Sequence, residues 1–405
     1  MKTLFMNVWR YPILMALQMA VACPMFSELA FAQSAAPQTT SRIAVYSASS
    51  KPKHTWSIDP TPLLTIDPDG PVEITDIIDI ARLSSGDVAV ASIGTNDIRI
   101  FASSGRYVRT VGRAGRGPGE FEALAQLFSS RDTLIGIDAS GVAQVFAPGG
   151  RYVRTEPRPR VPTGEAALRI GYTANGRTIL QTGPGNAASM PNRAALVYSK
   201  LWSQEYGKDA VLLGEYPAYH VVPWPSGRPR WAVFGARGRF VVTDSGYCAG
   251  FAETYVVACY DSKGVRVTQI ERRGLPAREV TDAHKEDYFR EDSLANPLPA
   301  HAAGRASTRR STQFAPRFGF FGSMMSSGSD EFWVGPVNPG DASVRGNAIP
   351  KDKEVWSVYS RSGEWLSDIS LPARFRVMEV GASFVAGVKR DPDADDRVVV
   401  YRIRR

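Results

Sequence analysis

Two stretches decide the fold, "NDIRIFASSGRYVRT" (96–110) and "GVAQVFAPGGRYVRT" (141–155). The hexapeptide GRYVRT recurs unchanged after 45 residues. Upstream lie "SSGDVAVAS" (84–92) and "SSRDTLIGID" (129–138), so the shared unit is longer than the hexapeptide. Each unit reads as turn, short apolar strand, turn, strand ending in Phe, glycine turn, strand. No helical pattern intervenes. An all-strand period of this length is that of a propeller blade, four antiparallel strands fanned around a central channel.

The motif of an apolar strand ending in an aromatic, then a turn, continues through the chain. It occurs at Phe101, Phe146, Tyr198, Tyr260, Tyr359 and Tyr401, with spacings of 45, 52, 62, 99 and 42 residues. The long gap is expected to hold an insertion. "TDAHKEDYFRE" (281–291) opens with a Thr N-cap and continues in helix formers, and the Pro-, Ala-, Ser- and Arg-rich stretch 292–313 reads as loop. Six blades are therefore predicted, with a short helical insertion near 281–291. The last repeat has too few strands, so "HTWSIDPTPLLTI" (54–66) is expected to complete it from the N-terminal side. The propeller then spans 54–403, and residues 33–53 are expected to be flexible.

Between the two repeats, "TVGRAGRGPGEFEAL" (110–124) carries Gly112, Gly115, Gly117 and Gly119 around Pro118. A phosphate loop would need Lys after Gly117, where Pro118 stands, and a dinucleotide fingerprint would need a helix to follow. The stretch reads instead as the joint that carries the chain from the outer strand of one blade to the inner strand of the next, with Phe121 as an anchor between them. "GRAGRGPGEF" followed by "DTLIGIDASGVAQVFAPGGRYVRT" resembles an NHL-type repeat. The chain as a whole resembles the exported six-bladed β-propeller proteins that share it, most clearly over 74–155 and 355–403. The strand-end Asp of such repeats is present as Asp138 but is Ser92 in the first unit. The resemblance implies fold and export and brings no catalytic residues with it.

The first 32 residues form a different segment. Lys2 and Arg10 precede an uncharged run from Tyr11 to Ser27, and Ala30-Phe31-Ala32 offers a small-x-small cleavage site before Gln33. The run is 17 residues with two prolines, short of the ~20 that a membrane span requires. Export as a soluble protein beginning at Gln33 is expected. "AVAC", ending at Cys23, loosely resembles a lipobox and provides the alternative of a lipid-anchored protein. No later segment is long and apolar enough to be read as a membrane span.

The chain carries 48 Lys and Arg against 40 Asp and Glu, a net charge of +8. In an exported protein this balance points to solubility and anionic surfaces rather than nucleic acid. Cys248 and Cys259 lie in "YCAGFAETYVVACY", and the hairpin reading holds them too far apart to bridge, so two thiols are expected. His54, His220, His284 and His301 show no metal-ligand spacing, and no cofactor or metal is expected. Glu73, Asp76 and Asp79 are read as surface or turn carboxylates. "GEYPAYHVVPWPSGRPRWAVF" (214–234) concentrates recognition residues, with Tyr219, Trp224, Arg228, Arg230 and Trp231 as binding candidates. A monomeric, non-catalytic binding or scaffold propeller for a protein or glycan is the leading expectation. A metal-dependent hydrolase or lyase sited at one end of the channel is the alternative.

Overall fold

Six four-stranded antiparallel sheets succeed one another along the chain and form the blades of a ring. The computed structural model describes residues 41–67, 70, 72, 74–183, 194–222, 230–295, 307, 309–338, 349–390 and 396–405. Blade 1 pairs Ile77–Arg82, Val88–Ser92, Asp97–Phe101 and Tyr107–Val111 in chain order. Blade 2 uses Leu124–Ser130, Thr133–Asp138, Ala143–Phe146 and Tyr152–Glu156. Blade 3 uses Leu168–Tyr172, Thr178–Thr182, Ala195–Gln204 and Val211–Val222, with Arg230–Trp231 added at its edge. In blade 4 the strands are Gly238–Thr243, Gly246–Phe251, Val256–Asp261 and Arg266–Arg272. Blade 5 has Ser323–Ser326, Glu331–Gly335, Glu354–Ser360 and Trp365–Leu371. Blade 6 takes Phe375–Val380, Phe384–Arg390 and Asp396–Arg404 from the C-terminal end of the chain.

The fourth strand of blade 6 comes from the N-terminal side. Leu64–Ile66 pairs antiparallel with Val398–Val400, and Ser57–Ile58 pairs with Ile403 and Arg404. Of the 33–53 segment that was expected to be flexible, residues 41–53 are described and precede this strand. Arg42–Tyr46 lies parallel to Thr268–Arg272 as a fifth strand of blade 4. The amides of Lys53 and His54 then donate to the carbonyls of Trp365 and Leu366 on the edge of blade 5. The chain from Arg42 to Ile66 thus laces the outer edges of three consecutive blades, satisfying backbone groups that edge strands leave open. Composition misses this because edge pairing is made by backbone and leaves little mark on residue type.

The repeated hexapeptide is repeated in its contacts. Gly105 and Gly150 sit at φ +85° and +87°, the left-handed conformation that the turn needs. Tyr107 meets Phe101 edge-to-face at 5.9 Å, and Tyr152 meets Phe146 at 6.2 Å. The Tyr hydroxyls bond the Thr110 and Thr155 hydroxyls at 2.9 and 2.8 Å. The strand-end variation is also intelligible. Asp138 accepts from the amide of Ala123 at 3.0 Å, and Ser92 donates to the Thr75 carbonyl at 2.5 Å. Each clamps the loop entering its own blade. In blade 3 the pattern shifts: Tyr198 is exposed, and Trp202 is the buried aromatic of that strand.

The glycine-rich joint carries a two-residue parallel ladder, Arg113–Ala114 with Glu120–Phe121. The Glu120 carboxylate accepts the Gly117 amide at 2.7 Å and pairs with Arg113. Phe121 is fully buried among Ile98 and Ile100 of blade 1 and Leu127, Leu134 and Phe146 of blade 2. Burying such a side chain contributes roughly 1.5–3 kcal/mol. A Cβ on Gly112 would lie 2.5 Å from the Phe121 ring, so close approach as well as φ requires glycine there.

Cys248 and Cys259 form a disulfide, correcting the expectation of two thiols. The two residues are directly opposed in the antiparallel pairing of their strands, with Cα atoms 4.0 Å apart. A tight register across the 252–255 turn brings them onto one face, where opposed side chains approach most closely. Both are fully buried, beside Phe321, Phe332 and Trp365.

The inserted helix runs Asp282–Ala295, longer than predicted. Thr281 caps it, its hydroxyl accepting the His284 backbone amide at 3.5 Å, while His284 Nδ1 accepts the Thr281 amide at 3.0 Å. Tyr288 and Phe289 pack with Val233, Phe234, Phe314 and Phe318, fastening the insertion to the connection between blades 3 and 4.

Candidate functional site

The innermost strands of all six blades line one channel. Four of them carry an irregularity at the same place: the pairing skips Ile78, Ala125, Ile170 and Met378. Such a bulge resets the alternation of faces. In blades 1 and 6 the residue after the skip is a carboxylate, Asp79 and Glu379. Each reaches the neighbouring blade. Asp79 Oδ2 accepts the Leu127 amide of blade 2 at 2.9 Å, and Glu379 Oε2 accepts the Arg82 amide of blade 1 at 2.6 Å. Arg376 donates to the Ile77 carbonyl at 3.1 Å across the same seam between blades 6 and 1.

This corrects the reading of Asp79 as a surface carboxylate. Asp76 is exposed, at a turn with φ +49°, whereas Asp79 lies in the channel. Glu73 lies outside the described residues. Enclosure by protein raises the Asp79 pKa to about 7, against the lowering effect of the Leu127 and Ile80 amides and of Arg376. It raises Glu379 to about 8, with the nearby Asp79 charge adding to the effect. Among the described residues no three His, Cys, Asp or Glu side chains gather as a metal would require.

The channel holds two cavities that share Asp79, Met325 and Met378 as a waist. One, of about 510 Å³, opens where the innermost strands end, past Arg82, Ser129 and Asp244. The other, of about 450 Å³, opens where they begin. Arg237, Arg239 and Arg376 line that mouth together with Asn338, Glu354 and Trp356. Arg237 and Arg239 are two apart on the approach to one strand and therefore share a face.

The same end of the ring carries the aromatic stretch. The third and fourth strands of blade 3 extend beyond their inner partners, since pairing with Thr178–Thr182 covers only Lys200–Gln204. On the projecting part, Val221 and Val222 pair with Trp231 and Arg230. Tyr219 meets Trp231 edge-to-face at 5.5 Å, and the Arg237 guanidinium lies 5.2 Å from the centre of the Trp231 ring. His220 Nε2 lies 3.3 Å from Glu253 on the adjoining turn. Trp231 remains exposed.

Of the sequence candidates, Tyr219 and Trp231 are brought together, with the backbone of Arg230 beside them. Trp224 and Arg228 lie outside the described residues, as do Cys23, Ala30, Ala32 and Gln33. Sequence reasoning missed Arg237, Arg239, Arg376 and Glu379. The alternation in "GARGRF" (235–240) marks the first two as sharing a face. Nothing local in the sequence points Arg376 or Glu379 inward, because the bulge at Met378 decides it.

No family model matches the chain, and no curated protein does. Among solved structures it is similar to a protein of Bacteroides fragilis described as exported, at 9% identity and a TM-score of 0.47, over 89% of this chain and 99% of that one. A member of the DUF4221 family from Bacteroides vulgatus is similar at 10% identity and a TM-score of 0.47, over 88% and 98%. The PQQ-bound aldose sugar dehydrogenase of Streptomyces coelicolor follows at 12% identity and a TM-score of 0.41, over 87% and 100%.

Proposed function

We propose that the chain is an exported, non-catalytic propeller, built on an NHL-like repeat, that binds a protein or glycan on the face where its innermost strands begin. The observation that carries this reading is the Tyr219–Trp231–Arg237 stack beside the channel mouth. Exposed aromatic rings braced by arginine are what recognition surfaces use, because a rigid ring loses little entropy on binding. A sugar face or an aliphatic side chain would pack on Trp231. Arg230 stands at the same edge, and Trp224 and Arg228 belong to the adjoining stretch of chain.

Export is supported by the charge–apolar–small order of residues 1–32, with Ala30 and Ala32 before the cut and Gln33 as the mature start. The buried Cys248–Cys259 bridge agrees, since such bonds persist in oxidising compartments. Among the described residues no helix is long and apolar enough to cross a membrane. Acylation at Cys23 is the alternative route to the cell surface. The mature chain is read as a monomer.

One observation favours the second reading, a metal-dependent hydrolase or lyase in the channel: two carboxylates, Asp79 and Glu379, stand close enough to influence each other. Each nevertheless accepts backbone amides that tie neighbouring blades. Binding to a glycan panel and to proteins of the cell envelope, with Trp231→Ala in parallel, tests the choice. The expected outcome is at least a tenfold weakening in the variant at unchanged melting temperature. Binding unaffected by Trp231→Ala, or stoichiometric metal in protein purified without added metal, overturns the proposal.

A further inference from the structure

We infer that the channel mouth lined by Arg237, Arg239 and Arg376 is a binding site for a small molecule bearing a carboxylate or phosphate group. The three guanidiniums come from blades 4 and 6, with Asn338 and Trp356 of blade 5 between them. They therefore approach one cavity from two sides, which a chance cluster on a single loop would not do. Arg376 is held at the seam by its bond to the Ile77 carbonyl. Arg237 is braced against the Trp231 ring. Guanidiniums positioned in advance suit oxyanions, whose two oxygens match the spacing of paired N–H donors.

The rest of the lining suits the body of such a ligand. Trp356, Pro336, Met325 and Met378 provide apolar walls, and the Asn338 side chain provides a polar group in a buried position. The volume of about 450 Å³ falls within the range of small-molecule sites. Two acids face the same space, Asp79 and Glu354. Glu354 accepts the Trp356 indole N–H at 3.1 Å. Asp79 gives up much of its charge near neutral pH, because burial raises its pKa to about 7. Three cations thus outweigh the acids.

Arg237 belongs both to the partner surface and to the cavity, whereas Arg239 and Arg376 line the cavity and are not part of the Tyr219–Trp231–Arg237 stack that the proposed function uses, so their substitution tests the anion site alone. Calorimetric titration of the purified exported protein at pH 6.5 and low salt provides the test, with galacturonate, inorganic phosphate and uncharged galactose as probes. Saturable binding of galacturonate or phosphate is expected, weakened at least tenfold by Arg239→Gln and by Arg376→Gln. Galacturonate alone assigns the site to a sugar acid, and phosphate alone to a phosphorylated ligand. Arg376→Gln also loosens a blade seam, so Arg239→Gln at unchanged melting temperature decides the matter. Binding of neither anion, or anion binding that Arg239→Gln leaves intact, overturns the inference.

Discussion

Asp79 and Glu379 show how a propeller channel can hold acids that tie neighbouring blades through backbone amides. Each commits one oxygen to an amide of the next blade, and both hold a proton well above the ordinary carboxylate range. The unfolded chain would release those protons near pH 4, so between about pH 4 and pH 8 the folded state binds more protons than the unfolded state. These groups therefore stabilise least at high pH, and their contribution falls as pH rises through that window. Glu379→Gln keeps an oxygen for the Arg82 amide and removes the titration. The variant is expected to gain on the parent as pH rises from 5 to 8.5, by an amount on the order of a few kcal/mol. Chemical denaturation at the two pH values measures it, and a parent–variant difference independent of pH contradicts the assignment. Neither residue's role was legible in the sequence. Spacing alone placed Asp79 at the surface, whereas a one-residue bulge, which side-chain pattern does not announce, turns it inward.

Elements were far more legible than side-chain roles, because strand, turn and repeat are written locally. GRYVRT specifies a left-handed glycine, an aromatic that packs on the strand-end Phe and a hydroxyl pair, and each unit makes all three contacts. The Thr281 cap was similarly visible, since capping depends on residues within one turn. The cysteine pair failed for the opposite reason. Whether two strand residues oppose each other depends on hairpin register, and a slip of one residue moves both side chains to other faces. Because the bridge closes a short loop inside a packed sheet, Cys248→Ser with Cys259→Ser is expected to cost about 2–4 kcal/mol. The serines would also bury hydroxyls, so Cys248→Ala with Cys259→Val separates bridge loss from polarity. A melting temperature in that variant equal to the parent's, and unmoved by reductant in the parent, would show that the bridge adds no stability.

At the scale of the molecule, both candidate surfaces depend on closure of the ring. The channel mouth draws its arginines from blades 4 and 6, and the Glu379 and Arg376 contacts join blade 6 to blade 1. Blade 6 in turn takes its outer pairing from Leu64–Ile66. The count of six could be read from repeat spacing, and the shortage of strands in the last repeat is what pointed to residues 54–66. The lacing of blades 4 and 5 by residues 42–54 could not, since those bonds are made through backbone. Closure of the ring by its own N-terminal strand is tested by the melting behaviour of a chain lacking residues 54–66. Such a chain is expected to fail to fold in soluble form and to show no cooperative transition. A soluble protein that melts cooperatively at the parent's temperature would contradict it.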